Sequence, residues 1–213
     1  MKSIFAIAAR ATIVTLLLTG IVYPIVVTGL ADVFFPHAAA GSFIDAQGHE
    51  VGSELIGQGF TAPPYFHPRP SASGYDGANS SGTNLSVTSK KLREGQPDDP
   101  ATKDVDESFT GVADLAKAYR AENELADDTE IPADAVSRSA SGIDPDISPE
   151  NARLQVARVA KARGITVDRV RAILDQHTDA PFLGVFGEPR VNVLVINLAL
   201  DRSFGAPVHV TAK

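Results

Sequence analysis

The chain has 213 residues, with 26 Asp and Glu against 19 Lys and Arg, a formal net charge of −7, and no cysteine. That balance argues against nucleic acid or an anionic membrane surface as a partner. Without thiols there is no disulfide framework and no cysteine chemistry, so the fold rests on its core.

From Ala11 to Ala31 there are 21 residues without a charge, preceded by Lys2 and Arg10 and followed by Asp32. At helical rise this run spans about 31 Å, the thickness of a bilayer's hydrocarbon core. One transmembrane helix is therefore expected at 11–33. Basic residues stay inside, which makes 1–10 a cytoplasmic N-terminus and 34–213 a single extracytoplasmic domain. All 26 acidic residues but only 17 of the 19 basic ones follow the run, so that domain carries about −9. A cleaved secretory signal is the competing reading, because Ala38-Ala39-Ala40 before Gly41 suits a small-residue cleavage site. The run exceeds the roughly 7–15 apolar residues of a signal, and Asp32, Pro36 and His37 separate it from that site, which favours a retained anchor.

Within the span, Thr12, Thr15 and Thr19 share a face with Ala8, a small and hydroxylated stripe of the kind that packs helices closely in lipid. Pro24, after Tyr23, removes a backbone bond, which neighbouring helices make tolerable. Thr12, Thr15, Thr19, Tyr23 and Pro24 are thus candidates for packing against another subunit's helix. The alternative is that the threonines bond their own helix and face lipid.

Residues Phe43 to Phe60 read as a short β region with a turn at Asp45-Ala46-Gln47-Gly48. Four prolines at 63, 64, 68 and 70, followed by Gly, Ser and Asn, exclude regular helix or central strand over 63–84. Tyr65, Phe66 and Tyr75 make that stretch an ordered loop pinned by aromatic burial. Charges and prolines dominate 90–107, and a flexible insertion is expected at 86–108.

Val112, Leu115, Ala116 and Tyr119 predict an amphipathic helix near 109–123. Ser148 as cap, Pro149 at the first turn and Gly164 as terminator bound another, with Ala152, Val156, Val159 and Ala160 inward. Thr166 is expected to cap a partner helix with Val167, Val170, Ile173 and Leu174 inward, completing a helical hairpin. Val191 to Leu200 is apolar and β-branched, predicting a strand buried on both faces. The whole reads as α+β, with a small sheet, a helical hairpin and long ordered loops, and no internal repeat.

Catalytic patterns do not appear. The histidines lack ligand spacing, no phosphate-cradling glycine motif occurs, and Asp144-Pro145-Asp146 lacks the glycine and glutamate of a calcium loop. No catalytic or metal-binding residue is assigned, and an accessory or binding role is favoured over an enzyme. Gln155, Asn192 and Asn197 interrupt apolar patterns. Buried amides there would satisfy backbone groups of the irregular loops, with Gln155 also able to face a ligand.

Several segments together resemble the C subunit of the bacterial Kdp potassium-transporting ATPase. They are Thr19 to Pro24, Gly52 to Phe60, Tyr65 to Ala72, Ser81 to Leu85, Ala140 to Pro149, Arg158 to Gly164, and Val191 to Asp201. They run in order over nearly the whole chain. The motif residues Gly57, Gln58, Phe60, Tyr65, Phe66, Arg69, Pro70, Ser71, Asn84, Asp144, Arg158, Asn192 and Asn197 are read as structural.

The resemblance implies a single-span, non-catalytic subunit in the bacterial inner membrane, its C-terminal domain periplasmic. Its partners would be a channel-like potassium-binding subunit and a P-type ATPase subunit. It also implies a role in assembly, and as a catalytic chaperone raising ATP affinity, with Gln155 as the nucleotide contact. With the N-terminus inside, Gln155 lies on the side away from cytoplasmic ATP, so direct contact would need inverted topology, or its effect would be transmitted through the anchor and partner subunits. The expected role is a brace on the channel-like subunit. The alternative is a stand-alone anchored periplasmic domain that binds a solute or peptide in a pocket lined by Tyr65, Phe66 and Tyr75.

Overall fold

The computed structural model describes residues 2–46, 48–98 and 108–207. The chain divides into two compact units, 1–53 and 54–213.

In the first unit, α1 (Lys2–Leu17) runs through a π-helical turn (Leu18–Val22) into α2 (Tyr23–Phe34). Residues Ser3–Phe34 form one helix long and apolar enough to cross a membrane, with none of its apolar surface buried. The widened turn has a local cause. In a regular helix the Pro24 ring would crowd the Gly20 carbonyl. One extra residue per turn relieves this, and the Tyr23 N–H donates to the Leu18 carbonyl. The Thr19 hydroxyl donates to the Thr15 carbonyl at 2.8 Å, so it is satisfied within its own helix. A short helix, α3 (Pro36–Ala39), leads into an antiparallel hairpin of β1 (Phe43–Ala46) and β2 (His49–Ser53). The hairpin groups with the membrane-length helix, and the second unit starts at Glu54.

The second unit opens with long irregular chain. Within the expected insertion, a short helix α4 (Lys90–Glu94) is capped by Ser89, and Gln96 pairs with Phe109, while 99–107 lie outside the described residues. Then come α5 (Val112–Glu122), α6 (Ala133–Val136), β3 (Asp146–Ile147), α7 (Pro149–Arg163), α8 (Val167–Gln176), β4 (Val191–Asn192) and α9 (Val193–Phe204).

The α7 boundaries follow from local chemistry. The Ser148 Oγ accepts the Asn151 N–H at 3.1 Å, and Pro149 occupies a position that needs no donor. At the other end Gly164 adopts φ 66° and ψ 30°. Its N–H bonds the Lys161 carbonyl and the Ile165 N–H bonds the Ala160 carbonyl, a Schellman closure. Thr166 precedes α8 in extended conformation, but its side chain makes no capping bond, contrary to the expectation.

The buried strand expected at 191–200 is a correction. Only Val191 and Asn192 are extended, pairing with Ile147 and Asp146, and the rest is helix α9. Its apolar residues are buried on several sides, which erases the helical period and leaves a run that looks like a core strand. Asn192 supplies the start signal, its Oδ1 accepting the Val195 N–H at 3.1 Å.

The principal core joins Phe66 with Val156 and Val159 of α7, Val170 and Leu174 of α8, and Ile196 and Leu200 of α9. A smaller cluster sets Tyr119 of α5 against Ala135 and Val136 of α6. The architecture is α+β, with two separate two-stranded sheets among the described residues.

Candidate functional site

Helix α7 has two faces with different tasks. Ala152, Val156, Val159 and Ala160 enter the core, while Asn151, Gln155 and Arg158, one above another at helical spacing, are buried polar residues, of which Gln155 and Arg158 reach a strap of chain at 62–67. The two prolines at 63 and 64 deny the strap a regular ladder, so its backbone groups need other partners. Side chains supply nearly all of them.

Arg158 Nη1 donates to the Pro63 and Tyr65 carbonyls at 2.7 and 2.9 Å, and Arg163 Nε to the Pro64 carbonyl at 2.7 Å. Asn197 of α9 brackets Phe66, accepting its N–H at 2.8 Å and donating to its carbonyl at 2.9 Å. Gln155 does the same for His67, at 2.7 and 3.1 Å. The His67 ring stands between the strap and α5, with Nε2 3.0 Å from the Ala62 carbonyl and Nδ1 2.9 Å from Glu122 Oε1. That hydrogen bond is the main cause holding the Glu122 carboxyl below its usual range.

Gln155 is 1% exposed. Besides bracketing His67, its Oε1 accepts from Arg158 Nη2 at 2.7 Å and its Nε2 donates to Asn151 Oδ1 at 2.9 Å. The amide's two donors and two acceptor positions are all engaged inside the chain, leaving nothing for a ligand in this conformation. The network continues through Asn151, which takes the Tyr119 hydroxyl and donates to Asp134, and through Arg158 Nε to Asn123. Burial pushes the Tyr119 phenol up and lowers the Arg158 guanidinium from its usual value.

Tyr65 and Phe66 are buried, and Tyr65 packs at a tilt of 52° against half-buried Phe60 with ring centres 5.5 Å apart. The Tyr65 hydroxyl donates to Asp201 at 3.0 Å. Asp201 also pairs with Arg163 at 2.8 Å, and burial pushes the phenol up to about 12. The Arg163–Asp201 pair carried no sequence signal. Tyr75 is half-buried and its hydroxyl donates to the Arg69 carbonyl. The three aromatics expected to line a solute pocket therefore serve internal packing.

A second junction ties residues 57–84 to 139–146. Arg69 Nη1 meets Asp144 at 2.6 Å, and the Ser71 Oγ donates to the Gly142 carbonyl at 2.6 Å while accepting from the Ser73 and Tyr75 N–H groups. Gly57 approaches the other loop so closely that a Cβ would lie 2.4 Å from the Asp144 carbonyl oxygen, which accounts for glycine there. The Gln58 carbonyl accepts the Phe60 N–H at 3.0 Å, and Pro70 is half-buried. Asn84 is exposed with φ 52°, a left-handed conformation that asparagine tolerates. Asn192 adds a bond to the Glu54 carbonyl at 2.8 Å.

Tyr65, Arg69, Ser71, Asp144, Arg158, Asn192 and Asn197 thus hold loops and helices together through side-chain bonds. Among the described residues no three His, Asp or Glu side chains converge as ligands for a metal.

The family model described as K+-transporting ATPase, c chain, matches residues 5–202. The potassium-transporting ATPase KdpC subunit of Myxococcus xanthus is 50% identical over 208 residues, covering 96% of this chain and 90% of its own. The same subunit of Mycobacterium tuberculosis (strain H37Rv) is 49% identical over 187 residues, with 87% and 90% covered. That of Koribacter versatilis is 45% identical over 203 residues, with 94% and 95% covered.

Proposed function

Since this chain belongs to the KdpC family, the c chain of K+-transporting ATPases, we propose that it is a non-catalytic accessory subunit of an ATP-driven potassium uptake complex. The helix Ser3–Phe34 anchors it in the inner membrane beside the helices of a channel-like subunit and a P-type ATPase subunit, with Thr12, Thr15, Tyr23 and Pro24 at the contact. Lys2 and Arg10 keep the N-terminus in the cytoplasm, and the C-terminal unit lies outside.

The observation that carries a bracing role is that Gln155, Arg158 and Asn197 all bond the backbone of one strap. Polar residues that a substrate-handling protein would present to a ligand are spent here on rigidity. Any effect on ATP affinity is then transmitted through the partner subunits, with Gln155 acting by keeping the strap in place.

The test is affinity purification of the C-terminally tagged chain from potassium-starved native membranes, followed by assay of potassium-stimulated ATPase activity. Recovery of both partners, with activity lost when this chain is removed, is the expected result. A lone monomer with no associated ATPase would overturn the reading.

A further inference from the structure

Between α8 and β4 the chain folds into a small hairpin. Asp179 and Arg190 pair at its base through backbone bonds of 2.8 and 3.1 Å, and Phe182 and Phe186 pair near its tip. The turn places Leu183 at φ 54° and Gly184 at φ 73°. A bulky leucine in the left-handed region is strained, and strain of this kind persists where a side chain must be aimed. Here it aims outward: Phe182, Leu183, Val185 and Phe186 are 65–77% exposed.

The hairpin's returning arm, Glu188–Arg190, forms one wall of a groove of about 890 Å³ floored by Ile131, Pro132, Ile147 and Leu154. Asp144, Asp146 and Glu150 in its lining pair with Arg69, Arg190 and Arg153. Among the described residues no Lys or Arg pairs with Glu130, Asp134 or Glu188, which leaves the groove negative beside the apolar tip. Arg69, also in the lining, keeps a buried Nε without an acceptor.

We propose that tip and groove are one docking surface for an extracytoplasmic loop of a partner subunit. That loop offers an apolar pocket to Phe182 and Phe186 and a Lys or Arg to the groove acids. The proposal rests on the subunit reading above. Charge complementarity selects this occupant. An anionic lipid surface would meet the same acids with repulsion, and a second copy of this chain would bring the same uncompensated charge. Aromatic anchors beside a polar rim are also how protein interfaces concentrate their binding energy.

The experiment co-expresses the full-length tagged chain with its partner subunits and compares recovery of the partners across variants. F182S/F186S should lower recovery about tenfold while the thermal midpoint of the chain alone is unchanged. E130K/E188K should lower it about threefold and flatten its dependence on salt. Wild-type recovery by F182S/F186S would overturn the docking surface alone. Failure of the wild-type chain to recover any partner would overturn the subunit reading and the surface with it. A lipid role is separated by F186W, the sole tryptophan of a chain that has none. Reconstituted without partners in vesicles of brominated phosphatidylcholine, its emission should be unquenched, and quenching would assign the tip to the membrane instead.

Discussion

Residues 62–67 and 182–186 are both short irregular segments that carry aromatic side chains, and they are held in opposite ways. In the first, Tyr65 and Phe66 are buried and the strap's carbonyls are met largely by side chains from α7 and α9. In the second, backbone bonds close within the hairpin itself and the apolar side chains face outward. A loop tied by distant side chains is part of the core, and its substitution is felt as instability. A loop that satisfies its own backbone can spend its side chains on something else, and its substitution should be felt only where that something binds.

The largest expected effect is at Arg158. Removing it leaves buried Asn123 Oδ1 and the Pro63 and Tyr65 carbonyls without their side-chain donor. Arg158→Ala should cost about 3–5 kcal/mol, as breaking a buried charged network does. Arg158→Lys should rescue little, because a single ammonium cannot reach acceptors arranged around a planar fork. Chemical unfolding of the full-length chain in detergent, followed by circular dichroism, measures both.

Next is Asn197→Ala, which strips Phe66 of partners for its N–H and its carbonyl together. Two buried groups left unpaired predict about 2–4 kcal/mol. Asn197→Asp should cost at least as much at neutral pH, because it buries a carboxylate oxygen against the Phe66 carbonyl with no cation among its bonding partners. An alanine variant as stable as wild type would mean that water replaces the amide, and the strap would then be less dependent on α9 than its geometry implies.

How much of this was legible in the sequence differs by segment for physical reasons. Helix α7 announced both ends, because Ser148, Pro149 and Gly164 act through bonds only a few residues long. The burial of Tyr65 and Phe66 was also readable, since aromatics in a proline-rich stretch need cover. The partners of the strap's backbone were not, because Gln155 lies 88 residues from His67 and Asn197 lies 131 from Phe66, and an amide bracketing a distant backbone leaves no local pattern. In α9 the apolar run has no period, so Asn192 reads in sequence as an amide interrupting a strand and its capping bond appears only in the fold. The hairpin tip was missed altogether. Its signal, two phenylalanines flanking Leu-Gly-Val, reads in sequence like any buried turn, and only its exposure makes it informative.

A smaller effect is expected from pH. The His67 hydrogen bond, then the attraction of His67 and Arg158, hold the Glu122 carboxyl below its unfolded value against partial burial. A depressed carboxylate contributes stability that is present above the unfolded pKa and is lost as pH falls through the folded one. The wild-type chain should therefore lose part of the grip of α5 on the strap as pH falls below the ordinary glutamate range and through the depressed pKa of Glu122. Glu122→Gln keeps an acceptor for His67 but cannot titrate, so its acid limb should be shallower. Parallel acid limbs for the two would place the loss elsewhere.

The smallest stability effect belongs to the hairpin tip. Phe182→Ser with Phe186→Ser removes side chains that are already 65–71% exposed, so the unfolding free energy should move by no more than about 0.5 kcal/mol. Replacing Leu183 by Gly should even stabilise the isolated chain slightly, since glycine adopts a positive φ without strain. If that gain in stability comes with weaker recovery of the partner subunits, the strained leucine is retained for its outward contact. If the gain comes with unchanged recovery, Leu183 lies outside the contact and the docking is confined to the two phenylalanines.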